Sequence, residues 1–232
     1  MRLAVMQPYI FPYIGYYQLI SAVDKFVIYD DVNFINRGWI NRNNILINEK
    51  AGLFSIPLKN ASQNRLINEI ELMNESAWQA KFLKTIEHAY KKAPYFQKIF
   101  PLVSNIISSG STHINQLAYL SIRSVCDYLK INTSFVQSSV QYKNNSLKAQ
   151  NRILDICKIE KAGHYINPIG GIEIYSRELF EAAGIKINFL KTSGVKYAQF
   201  SNEFVPNLSI IDVLMFNDIE EIHRLLSQFQ LA

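Results

Sequence analysis

The chain has 232 residues, 49% of them hydrophobic and 19% charged, enough to bury a sizeable core and too apolar for a disordered chain. Its net charge of +5 is spread over scattered lysines without a basic stripe or an RNA-binding signature. A solvated surface or attraction to anionic small molecules is therefore expected rather than nucleic acid. No apolar run approaches a membrane span, and Leu3 to Met6 is too short for a signal-peptide core. The two cysteines, Cys126 and Cys157, lack paired spacing, so a disulfide and a metal site are not expected and a reducing cytoplasm is.

In chain order, short apolar runs predict strands at Leu3 to Met6, Lys25 to Tyr29, Leu53 to Leu58, Thr133 to Gln137, His164 to Asn167 and Lys186 to Leu190. Such runs suit strands buried on both faces. Helical spacing predicts helices at Tyr16 to Ala22, Trp78 to Tyr90, Tyr95 to Ile107, Ile114 to Leu129, Ala149 to Lys158, Ser176 to Ala183 and Glu220 to Phe229. Strands alternating with helices predict an α/β fold with a mostly parallel sheet. The block 60–110 breaks the alternation and is expected to be a helical insertion within a single domain, 1–232. In a parallel sheet ligands bind beyond the carboxyl ends of the strands, so the residues after each strand are the first place to look for chemistry.

Gln7-Pro8 ends the first strand. Gln7 suits a substrate hydroxyl or amide and equally a loop anchor. Tyr9, Gly15 and Tyr16 belong to the aromatic loop that opens the first helix. Gly15 would allow close approach of a ligand, and free N–H groups there would favour an anion. The layout is similar to that of adenylate-forming nucleotidylyltransferases, but Tyr stands where their loop carries His and no Lys-Ser motif follows.

Asp30 and Asp31 end the second strand. Neighbouring strand residues point to opposite faces, so one is expected to face the site as a base or sugar ligand. The other would bind a loop amide or Arg42. Arg42 matches a phosphate or carboxylate, Trp39 a base or sugar face, and Asn43 a hydroxyl; a surface arginine beside a core tryptophan is the plain alternative. His88 is the best acid–base candidate of the four histidines. Asn167, Gly170 and Gly171 form either a ligand cradle or a tight turn. Ser209 and Asp212 resemble a helix cap, with Asp212 anchoring the N-terminal loop.

Taken together, MQPYIFPYIGYYQLI at 6–20, DKFVIYDDVNFINRGWINRNNIL at 24–46, YKKAPYF at 90–96, YINPIGG at 165–171 and FVPNLSIIDVLMFN at 204–217 resemble the WbqC-like family of bacterial proteins. The resemblance implies a role in O-antigen or other surface-polysaccharide sugar biosynthesis, through acyl or aminoacyl transfer to an amino sugar. It implies no catalytic residue. The combined expectation is a Rossmann-like α/β enzyme, an N-acyl or amide-forming transferase acting on a nucleotide-linked amino sugar. His88, Asp30 or Asp31 would be the base, and Arg42 and the Gly15 loop would hold the anion. No bound cofactor is expected; an acyl thioester, on coenzyme A or acyl carrier protein, is the candidate co-substrate. The alternatives are a non-catalytic binding module for a nucleotide sugar or carrier protein, and a nucleotidyl-transfer or adenylate-forming ligase. Gln7, an aspartate and Asn167-Gly170 should border one cleft, walled by Trp39-Arg42-Asn43 and reached by His88.

Overall fold

The computed structural model describes residues 1–74, 77–201 and 203–232. In chain order the elements are β1 (Arg2–Met6), α1 (Ile14–Ala22), β2 (Lys25–Ile28), β3 (Arg42–Ile47), β4 (Lys50–Ser55), β5 (Leu58–Lys59), β6 (Glu71–Leu72), α2 (Ala77–Tyr90), α3 (Phe96–Ile107) and α4 (Ile114–Tyr128). Then follow β7 (Ser134–Val136), α5 (Ala149–Ile159), β8 (His164–Pro168), α6 (Arg177–Ala182), β9 (Lys186–Thr192), α7 (Ile210–Phe216), α8 (Ile219–Leu226) and β10 (Phe229–Leu231). No helix among the described residues is long and apolar enough to cross a membrane.

Six strands form the central sheet in the order β10-β9-β8-β1-β2-β7, parallel except for β10. Numbered by their order along the chain, these strands read 3-2-1-4-5-6 from the β7 edge, the Rossmann order, whose topological switch lies between β1 and β8. The strands are apolar on both faces because both are covered. Ala4, Phe26, Ile28 and Leu190 pack into a core shared with α1 to α4, α7 and α8. Leu3, Val5, Val27, Tyr165 and Phe189 turn the other way, towards α5 and α6. The period of two along β1 and β2 therefore serves two cores.

Three elements differ from the sequence-based expectation. The run 53–58 is not a strand of the central sheet: its first half belongs to β4, which ends at Ser55 and pairs antiparallel with β3 in a separate two-stranded sheet, and Leu58 opens β5. Residues 42–47, read from their polarity as a segment after β2, form that hairpin's first strand. The last helix stops at Leu226, and Phe229–Leu231 closes the sheet edge antiparallel to β9. Between β2 and β7 the chain thus makes one long excursion, carrying the β3–β4 hairpin, the β5–β6 ladder and three helices.

Candidate functional site

β8, β1 and β2 are neighbours and run parallel, so Gln7, Asp30 and Asn167 all lie at the carboxyl edge of the sheet. Above this edge the 7–13 loop is built with care. Phe11, fully buried, has φ 41, a conformation a bulky side chain rarely adopts. Its backbone is held on every side. Its N–H donates to Ser121 Oγ at 3.1 Å, and its carbonyl accepts from Asn43 Nδ2 at 2.7 Å and Ser209 Oγ at 2.8 Å. Ile10 N–H donates to the Ile40 carbonyl at 3.0 Å, and Ile210 N–H to the Pro12 carbonyl at 2.8 Å. Three distant segments thus clamp the loop, and Ser209 rather than Asp212 is the anchor.

The clamp sets out a pocket of about 270 Å³ lined by Tyr9, Tyr13, Trp39, Asn43 and Asn207. Trp39 is 51% exposed. Arg42 lies beside it, its guanidinium carbon 5.8 Å from the indole centre and its Nε donating to the Gly38 carbonyl at 2.8 Å. Its two terminal nitrogens have no partner among the described residues. Burial pushes the Tyr9 and Tyr13 hydroxyls up from the ordinary tyrosine range, so both stay neutral. Tyr13 and Asn207 were not singled out as site residues from the sequence. Their signal was present in the matching stretches PYIFPYIG and VPNLS, but a lone tyrosine or asparagine there carries no chemistry until the loop closes around it.

The other predicted residues have defined places. Asp30 is fully buried and accepts from Ser138 Oγ at 2.7 Å, Ser139 N–H at 3.1 Å and Asn115 Nδ2 at 2.9 Å. Asp31 pairs with Arg152, whose Nη2 lies 2.7 and 2.6 Å from its two oxygens, and it also accepts from Ser139 Oγ. Its partner is Arg152 and not Arg42. Arg152 also sits over the Tyr29 ring at 4.8 Å and donates to Asn144 Oδ1 at 2.9 Å. Tyr16 is buried and donates to the Gln7 carbonyl at 3.1 Å. Gly15 meets protein, not open space: a Cβ there would lie 2.4 Å from the Tyr13 ring and 2.7 Å from Thr192 Oγ1. The same contacts put Tyr13 next to the end of β9, and so keep the aromatic pocket at the sheet's carboxyl edge. Asn167 accepts from the Tyr165 hydroxyl at 3.1 Å. Gly171 packs against Asn167, whereas Gly170 faces open space.

His88 is not in this group. It is exposed on α2 and lines a different cleft, with Leu46 and Ile47 at the far end of β3. Among the described residues no cluster of three or more His, Cys, Asp or Glu could hold a metal. Cys126 and Cys157 are both buried, and burial pushes each thiol up to about 12, which leaves them inert as nucleophiles.

The profile of the WbqC-like protein family matches residues 7–224. The chain belongs to this family, which is linked to O-antigen biosynthesis. The chain is also similar to the uncharacterized protein Rv1507c of Mycobacterium tuberculosis, at 26% identity over 218 residues, 93% of each chain. No solved structure matches it.

Proposed function

We propose that this WbqC-like protein binds a nucleotide-linked amino sugar in the aromatic pocket and transfers an acyl or aminoacyl group to its amine, a step in surface-polysaccharide sugar biosynthesis. The observation that carries this is the pocket's make-up. Three aromatic rings and the Asn207 amide stand at the sheet's carboxyl edge, with the unpartnered end of Arg42 beside Trp39. Ring faces suit a sugar or a base, and a guanidinium suits a diphosphate. In the transfer, the amine nitrogen attacks the acyl carbon of a thioester from coenzyme A or a carrier protein. A C–N bond forms, the thiolate leaves, and the amine's proton passes to the departing sulfur or to water.

The candidate bases are Asp30, Asp31 and His88. Both carboxylates are already engaged by buried donors, Ser139 on Asp30 and Arg152 on Asp31, and His88 opens on another cleft. The pocket lining holds no carboxylate or imidazole among the described residues. The transfer then relies on orienting a neutral amine against an activated donor. That same lining favours a second reading, a non-catalytic nucleotide-sugar binding module. Incubating the protein with a UDP-linked amino sugar and a range of acyl thioesters, with mass-spectrometric detection, separates the two. An added acyl mass supports transfer. Binding without conversion supports the module, and consumption of ATP would point to an adenylate-forming ligase instead. In calorimetry Arg42→Ala should weaken the sugar nucleotide by about 1.5–3 kcal/mol, the scale of a charge-assisted hydrogen bond, with thermal stability intact. Unchanged affinity would make Arg42 a surface charge.

A further inference from the structure

A second cleft, of about 660 Å³, lies between α2 and the turn joining β3 to β4, and the function proposed above makes no use of it. Lys81, Lys84, Lys91 and Lys92 line it together with His88, against a single carboxylate, Glu49. Lys81, Lys84, His88 and Lys91 recur at spacings of three and four, so they form one face of the helix. Like charges so spaced oppose one another. The dipole at the carboxyl end of α2 favours Lys91 and Lys92 but does not reach back to Lys81 and Lys84. None of the four lysines is ion-paired among the described residues. Part of the wall is apolar, from Leu46 and Ala89. At the rim stands Phe200, 42% exposed and braced edge-on by Phe216 at 4.8 Å.

A concave, lysine-lined cleft with one exposed aromatic ring matches a ligand that joins several phosphates to a flat ring. Free phosphate would leave Phe200 without a role, and a flat acidic protein surface would not fill the concavity. We infer that this cleft binds a nucleoside polyphosphate, its phosphates on Lys84 and Lys91 and its base against Phe200. The cleft is separate from the aromatic pocket. Asn43 borders one and Leu46 the other, and three residues of strand span about 10 Å. If the acyl-transfer reading holds, this is where a nucleotide-bearing donor would be gripped; the binding itself does not depend on that reading.

Calorimetry of the full chain with ADP, with adenosine and with inorganic pyrophosphate tests the inference in three variants. Lys84→Gln/Lys91→Gln should weaken ADP by about tenfold or more. Phe200→Ala should weaken ADP while leaving pyrophosphate unchanged. Trp39→Ala/Arg42→Ala should leave ADP bound at this cleft. All the side chains involved are at least partly exposed, and an unchanged melting temperature confirms intact folding. Absence of saturable ADP binding overturns the inference. So does ADP binding that survives the double lysine change but is lost with Trp39 and Arg42, which would put the nucleotide in the aromatic pocket. Indifference of ADP to Phe200→Ala would reduce the cleft to an anion site and overturn the nucleotide assignment.

Discussion

Just beyond β2 two adjacent carboxylates share Ser139 and otherwise find different partners. Asp30 also accepts from Ser138 Oγ and Asn115 Nδ2, and Asp31 pairs with Arg152; both stand past the last residue of the strand, so the alternation expected from a strand does not govern them. Through Ser139 both brace the 3-10 turn Ser139–Tyr142 just after β7, and Asp31 ties it to Arg152 on α5. The Asp31–Arg152 pair is nearly inaccessible, at 7% and 3% side-chain exposure. A buried pair adds little net stability over an apolar pair, but removing one member strands the other charge. Arg152→Ala should therefore cost about 3–5 kcal/mol in urea denaturation. A loss below 1 kcal/mol would mean that water already solvates Asp31.

Among the elements, the βα turns are set by close packing. The turn after β8 contains two adjacent glycines whose roles the sequence cannot separate. A Cβ on Gly171 would fall 1.9 Å from Asn167 Nδ2, whereas one on Gly170 would meet nothing within 4 Å, and neither has a positive φ. Gly171→Ala should thus displace the Asn167 amide from the Tyr165 hydroxyl and destabilise by about 1–3 kcal/mol. Gly170→Ala should stay within about 0.5 kcal/mol. Equal effects in thermal melts would show that the turn, not the Asn167 contact, sets the requirement. The β3–β4 hairpin shows the opposite case. Asn43, Asn44 and Arg42 read as loop, yet tertiary contacts make them strand. Asn43 Nδ2 secures the Phe11 carbonyl, and Leu46 N–H donates to the Tyr90 hydroxyl at 2.9 Å.

For the whole molecule, Asp212 ties distant parts together. Its buried carboxylate accepts from Tyr90 at 2.8 Å and from Tyr197 and Gln199 at 2.7 Å each. It thereby joins α7 to α2 and to the segment after β9. Burial raises its pKa, the three hydrogen bonds opposing that rise only in part. A raised folded value means that the native state holds the proton more tightly than the unfolded chain does. Asp212's contribution is then fully present below the unfolded value of about 3.9 and is lost as pH rises through the folded value. Asp212→Asn removes that slope. Denaturation across the acidic range should show the variant gaining on the wild type as pH rises. A constant difference between them would mean that Asp212 titrates alike in both states.

What the sequence determined by itself was local. Apolar runs of four or five residues marked five sheet strands, the 3.6 period marked most helices, and the placement of polar residues after strand ends pointed to the sheet's carboxyl edge. These follow from side-chain periodicity and burial, which act over a few residues and are written in order along the chain. Tertiary structure alone decided the rest. It moved Arg42 away from the aspartates and supplied Arg152 from 121 residues downstream. It filled the space beside Gly15 with Tyr13 and Thr192. It brought Asn207 to the pocket of Tyr9 and Trp39 while leaving His88 at the other end of β3. Arg152 on Asp31, Thr192 beside Gly15 and Asn207 beside Tyr9 are all contacts between segments far apart in sequence. Which partner a buried charge or a clamped carbonyl finds depends on how the chain returns over the sheet, and no local pattern encodes that return.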